Sequence, residues 1–265
     1  MKPVRFAAAG AACLVLAACV TEPSGDPNLK PAIATTGDET HARMRARIHT
    51  ELAANYFGIG NVAVALEEVQ EALKADRNYG PAHNVAGLVY AQLKEDRRAE
   101  ESFQRALAIN PNDSDARHNY GEFLCQRKQE REAIRQFMLA VRNPLYPTPE
   151  RSYVNAGVCA RRVGDTAGAT EFFQLALKVR PSQPQALYQM ADLSYTGGDY
   201  GAAKGYLGRL AQAAPLNVNA ETLWLGVRVE RRLGDRISEA SYAQQLRQRF
   251  PDSREARALL AGQYE

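Results

Sequence analysis

No Cys-x-x-Cys pair occurs anywhere in the 265-residue chain, so neither a zinc ribbon nor a thioredoxin-type redox centre is indicated. Also missing are His-Glu-x-x-His, a glycine loop ending in Gly-Lys-Ser/Thr, and Gly-x-Ser-x-Gly. Those are the arrangements that hold a catalytic zinc, a nucleotide's phosphates or a hydrolase nucleophile. Histidine is sparse and scattered: His41, His49, His83 and His118 are all there are. The carboxylate pairs Glu67-Glu68 and Glu100-Glu101 and the arginine pairs Arg161-Arg162 and Arg231-Arg232 read as solvated helix faces. With no set of residues to carry chemistry, the expectation is a non-enzyme without cofactor, metal or small-molecule substrate. Charge of one sign is lacking too. The chain has 33 basic and 30 acidic residues, and without Lys2 and Arg5, in a segment read below as removed, 31 face 30. Such a balance leaves no electrostatic footprint for nucleic acid.

What is present starts with an address. Lys2 and Arg5 precede an apolar run from Phe6 to Ala18, too short to span a bilayer yet suited to a signal-peptide core. It ends in Leu16-Ala17-Ala18-Cys19, which resembles the bacterial lipobox, in which the cysteine thiol is acylated and becomes the new N-terminus. Two or three acyl chains anchor stably where one would be marginal. Position 20 is Val rather than the Asp that commonly retains lipoproteins in the inner membrane, which favours the outer membrane, facing the periplasm. Residues 20–40 carry three prolines, two glycines and little apolar content, the composition of a flexible tether. The expected layout is a signal peptide over 1–18, a lipidated N-terminus and tether over 19–42, and one folded domain over 43–265.

That domain is internally repeated. A small residue recurs as Ala53, Gly87, Gly121, Gly157, Ala191 and Gly226, in steps of 34, 34, 36, 34 and 35. A second series runs Ala65, Ala99, Ala133, Ala169, Ala203 and Ala240, followed in the first five units by Val69, Phe103, Phe137, Phe173 and Leu207. Prolines close units at Pro111, Pro181, Pro215 and Pro251, with Pro144 displaced. These spacings, clearest from Gly87 to Pro111, are those of the tetratricopeptide signature. Small residues let two antiparallel helices approach, and the large residue four positions later fills the gap beside them. Gly60-Asn61, Gly164-Asp165, Gly198-Asp199 and Gly234-Asp235 supply turns between helices. One hairpin cannot bury its own apolar face, so units stack. The predicted fold is an all-α tetratricopeptide-repeat superhelix of about six helical hairpins, with Ser253 to Tyr264 as a C-terminal capping helix.

Two features stand out within this frame. Cys125 and Cys159 fall in the first helices of units three and four at nearly equivalent repeat positions. In an oxidising periplasm they are expected to form a disulfide, worth about 3–4 kcal/mol on chain entropy; the alternative is two buried free thiols. Between the same units lies Asn143-Pro144-Leu145-Tyr146-Pro147-Thr148-Pro149, a stiffened insertion whose apolar Leu145 and Tyr146 are candidates for partner contact. The inner face of such an array is lined by first-helix residues that do not pack within the hairpin. Those positions here include Thr50, Ala54, Phe57, Asn84, Leu88, His118, Glu122, Tyr188, Tyr195 and Trp224. The early units lean apolar, suiting an amphipathic helix or an extended segment. A carboxylate clamp would want Lys and Asn where Thr50 and Ala54 stand, so that mode is unsupported.

Lipobox, six units and the stretch from Gly121 to Asp165 together resemble the type IV pilus biogenesis and stability lipoproteins, the PilF/PilW family. Leu124-Cys125, the loop ending at Glu150, and Asn155-Ala156-Gly157-Val158-Cys159 carry the resemblance most specifically. It implies a pilotin role: a monomeric adaptor, held to the outer membrane by acyl chains on Cys19, that helps the pilus secretin reach that membrane and multimerise. The competing readings are an adaptor for peptidoglycan synthases or hydrolases, and a scaffold for outer-membrane protein assembly.

Overall fold

The computed structural model describes residues 40–215 and 218–264; the expected signal peptide, Cys19 and nearly all of the tether lie outside them. The described residues form thirteen helices. In order they are α1 (His41–Gly58), α2 (Val62–Ala75), α3 (Gly80–Gln92), α4 (Asp96–Ile109), α5 (Ser114–Gln126), α6 (Glu130–Ala140) and α7 (Pro149–Arg162). Then follow α8 (Thr166–Val179), α9 (Pro184–Thr196), α10 (Tyr200–Ala213), α11 (Ala220–Leu233), α12 (Arg236–Arg249) and α13 (Arg254–Leu260). Each odd helix packs most closely on the even helix after it, each hairpin packs on the next, and α13 lies against α11 and α12. The result is an all-α tetratricopeptide superhelix of six hairpins and a cap. The first helix starts at His41, with the Thr40 hydroxyl accepting from the Arg43 N–H, so the folded part begins slightly before the boundary expected at 43.

Six intra-hairpin turns share one closure. The N–H groups of Asn61, Glu95, Gln129, Asp165, Asp199 and Asp235 each donate to the carbonyl five residues back, at 2.9–3.0 Å. This is the Schellman arrangement, which needs a left-handed residue just before the donor. Gly60, Gly164, Gly198 and Gly234 supply it with φ of 77–83°, but units two and three force Lys94 (φ 63°) and Lys128 (φ 62°) into the same conformation. Those two units also lack the next device. Asn61, Asp165, Asp199 and Asp235 cap the following helix through their side chains, whereas Glu95 and Gln129 do not.

The core follows from close approach. A Cβ placed on Gly87, Gly121 or Gly157 would come within 2.6, 2.8 or 2.5 Å of the rings of Phe103, Phe137 or Phe173. Only a bare backbone lets each ring lie flat in its hairpin, and all three rings are fully buried. Ala53 over Val69 and Ala191 over Leu207 are milder forms of the same contact, with all four residues buried. Unit six departs from the expected pattern. The connection from α10 to α11 is two residues longer than that from α8 to α9, and the register slips: Glu239, four residues after Asp235 as Ala65 is after Asn61, takes the inner slot at 9% exposed, and Ala240 is exposed rather than buried. Glu239 is tolerated there because Arg231 and Arg236 each donate to its carboxylate at 2.9 Å. The ring facing Gly226 belongs to Tyr242.

Candidate functional site

Neighbouring hairpins are joined by polar ties as well as apolar packing. Asn119 Nδ2 donates to Asn84 Oδ1 (3.1 Å), Arg127 pairs with Asp96, Arg161 with Asp192 (2.7 Å), and Lys204 with the buried Glu230 (2.8 Å). Arg162 Nη1 donates to the carbonyl of Cys125 at 2.9 Å. The first arginine pair is therefore not merely solvated: both members reach into adjacent units. Cys125 and Cys159 are joined by a disulfide between α5 and α7, with Cα atoms 6.0 Å apart.

The ten expected inner-face positions divide sharply. Thr50, Asn84 and His118 are buried and cannot offer their side chains to a partner. Thr50 donates to the Ala46 carbonyl (2.7 Å), Asn84 is occupied by Asn119, and His118 Nδ1 meets Ser152 Oγ at 2.8 Å. These are small or polar side chains at positions where the next unit covers the helix, which a repeat register alone does not distinguish from its open face. Phe57 and Leu88 are half-buried against the core, whereas Ala54 and Glu122 are exposed. Tyr188, Tyr195 and Trp224 are half-buried and do line open recesses.

The proline loop is corrected in a similar way. Leu145 stands out at 86% exposed, but Tyr146 is buried, its hydroxyl 3.5 Å from Ser152 Oγ. With Glu150 also buried and 3.6 Å from Arg180, the insertion is fastened into the stack between units three and four, leaving Leu145 as its single apolar tip. Burial, then the nearby Arg151, pushes the pKa of His118 down to about 4, so its ring stays neutral at neutral pH. Its Nε2 is buried without a partner.

Sequence reasoning missed two surfaces. On α1, Met44, Ile48 and Leu52 recur every four residues and are 40%, 45% and 38% exposed, a continuous apolar stripe on the first unit. A four-residue period was visible in the sequence, but Ala46, Thr50 and Ala53 on the other side of the helix form the buried face, and only structure tells the two apart. The second surface is an arginine-rich hollow between α9, α11 and the C-terminal segment. Burial and the neighbouring Asp192 raise the Tyr188 phenol there to about 12, keeping it a hydrogen-bond donor. Among the described residues no three His, Cys, Asp or Glu side chains gather as a metal site, and no helix is long and apolar enough to cross a membrane.

Comparison with known proteins gives a consistent picture. Tetratricopeptide repeat family models match residues 80–113 and 102–135. The type IV pilus assembly protein PilF of Pseudomonas aeruginosa is 32% identical over 240 residues, 91% of either chain. An uncharacterised protein of Haemophilus influenzae is 27% identical over 146 residues, 55% of this chain and 74% of its own. Among solved structures, P. aeruginosa PilF superposes with a TM-score of 0.77 at 30% identity, covering 84% of this chain and all of that one. The crystal structure of PilW, a widely conserved type IV pilus biogenesis factor, superposes with a TM-score of 0.73 at 30% identity, covering 81% and 98%.

Proposed function

The chain belongs to the PilF/PilW family of type IV pilus tetratricopeptide proteins, and from that premise we propose that it is an outer-membrane-anchored adaptor for the pilus secretin. The observation that carries the reading is 32% identity along 91% of both chains with a pilus assembly protein, in a chain whose fold is a protein-binding scaffold. Acyl chains on Cys19 supply the address, and the prolines and glycines of 20–40 let the folded body stand off the bilayer. Confinement to the membrane raises the effective concentration of the secretin subunit where its ring assembles. The α1 stripe of Met44, Ile48 and Leu52 is the surface of choice for an apolar segment of that subunit, since its four-residue period matches one face of a partner helix. The protein acts by binding, as a monomer and without catalysis.

The test is a deletion strain complemented with the wild-type chain or Cys19→Ser, read by membrane fractionation and by blotting for heat-resistant secretin multimers. The deletion should lose multimers and surface pili, and the Cys19→Ser protein should be folded, soluble and unable to restore multimers to the outer membrane. Normal multimers in the outer membrane of the deletion strain would overturn the proposal. Loss of barrel proteins in general, or a defect confined to the cell wall, would transfer the role to outer-membrane assembly or to peptidoglycan synthesis.

A further inference from the structure

At the C-terminal end of the inner face, arginines and aromatic rings are assembled in a way that helix packing does not require. Arg228, on α11, lies over the Tyr195 ring (4.7 Å), and Arg231 over Tyr264 (3.8 Å). Trp224 stacks on the same Tyr264, ring centroids 5.6 Å apart. These groups border two adjoining recesses of about 790 and 600 Å³, which share Arg228 and Gln263. Arg231, Arg232 and Arg236 line the first; Arg254 and Arg257 line the second, together with two acids, Glu221 and Glu255. Glu239 answers Arg231 and Arg236. Arg228 differs from these: its Nε is buried and has no hydrogen-bond partner. An unsatisfied donor on a cation that borders two open recesses favours an anionic ligand there.

We propose that this hollow binds an extended acidic peptide segment of a protein partner, its carboxylates on the arginine forks and its side chains against Trp224 and the tyrosines. A guanidinium presents paired N–H donors that match a carboxylate, and stacking on a ring holds its plane in place before the ligand arrives. Recesses of this size take a few residues of extended chain. A nucleic acid fits less well, because with 33 basic and 30 acidic residues the chain offers no long basic track for a phosphate backbone. The protonated Tyr188 phenol adds a neutral donor at the second recess. This site is separate from the α1 stripe and stands whether or not the partner on that stripe is a secretin.

Trp224 is the only tryptophan in the chain and lines the second recess, so its emission reports on occupancy directly. Purified full-length protein in mild detergent is titrated with a short peptide alternating Glu and Ala, with the same peptide carrying Gln for Glu, and with a single-stranded oligonucleotide. The Glu peptide should bind, perturb Trp224 and weaken with added salt, while the Gln peptide should not bind. Arg228→Gln should weaken binding by about tenfold or more. Arg257→Gln, on the exposed side of the cap helix, should weaken it without disturbing the fold, as checked by circular dichroism. Equal binding of the Gln peptide, insensitivity to Arg257→Gln, or tighter binding of the oligonucleotide than of the Glu peptide would each overturn the proposal.

Discussion

Units two to four and unit six use the same bare-glycine approach to opposite ends. In the middle units each first-helix glycine receives a phenylalanine ring that is wholly enclosed, and a disulfide ties units three and four together. In unit six the ring over Gly226 is the half-exposed Tyr242, an ion-paired Glu239 fills the inner slot, and Arg228, Arg231, Arg232 and Arg236 line an open hollow. The difference sets a closed middle against an open end, and on the proposed function the middle is a spacer and the ends are the surfaces for partners.

The sharpest way to break this comparison is to delete a ring from each region. Phe137→Ala should lose about 3–5 kcal/mol, because the cavity lies between two helices that cannot close over it. Tyr242→Ala should lose roughly half as much, since solvent already reaches that ring. Urea titrations of both variants decide it; equal losses would remove the distinction. Next in size is the cross-link. Cys125→Ser with Cys159→Ser should cost about 3–4 kcal/mol for the loop it opens. Mass spectrometry of the alkylated, unreduced protein checks the premise, which fails if both thiols are labelled.

The third effect separates the regions by pH. His118 is neutral in the fold, with its pKa lowered from 6.5 to about 4, so the unfolded chain takes up a proton that the folded chain refuses. Stability is therefore complete above pH 6.5 and falls as the pH drops toward 4, by about 3 kcal/mol at most. His118→Asn should flatten that decline, measured as urea midpoints at several pH values; an unchanged slope would place the titration elsewhere. The smallest effect sharpens the comparison of turns. Lys128→Gly should stabilise by about 0.5–1 kcal/mol, by removing a side chain from a left-handed position. Gly164→Ala, at the equivalent turn of unit four, should destabilise.

Much of this architecture was legible before any coordinates. Glycine and phenylalanine recur together because the close approach demands both, so their register revealed the hairpins, and the Cys125–Cys159 pairing followed from equivalent repeat positions. The turns at Lys94-Glu95 and Lys128-Gln129 were not legible, since nothing in a lysine announces positive φ. Ala240 misled because the longer connection before α11 shifts the register, so that Glu239, four residues after the capping Asp235, holds the inner slot. The inner face was only half legible: Tyr188, Tyr195 and Trp224 line recesses, but whether Thr50, Asn84 or His118 meets solvent depends on how the next unit covers it. The arginine hollow could not be read at all, because Arg228 and Tyr264 come together only when α13 folds back on α11.

The claim that partners are held at the ends while the middle acts as a spacer is tested most directly by photo-crosslinking in cells. A photoreactive residue is placed at Ile48 on the α1 stripe or at Arg97, whose side chain is 90% exposed on unit two. The account predicts a secretin adduct from position 48 and none from position 97. Capture of the secretin from position 97 with none from position 48 would contradict it.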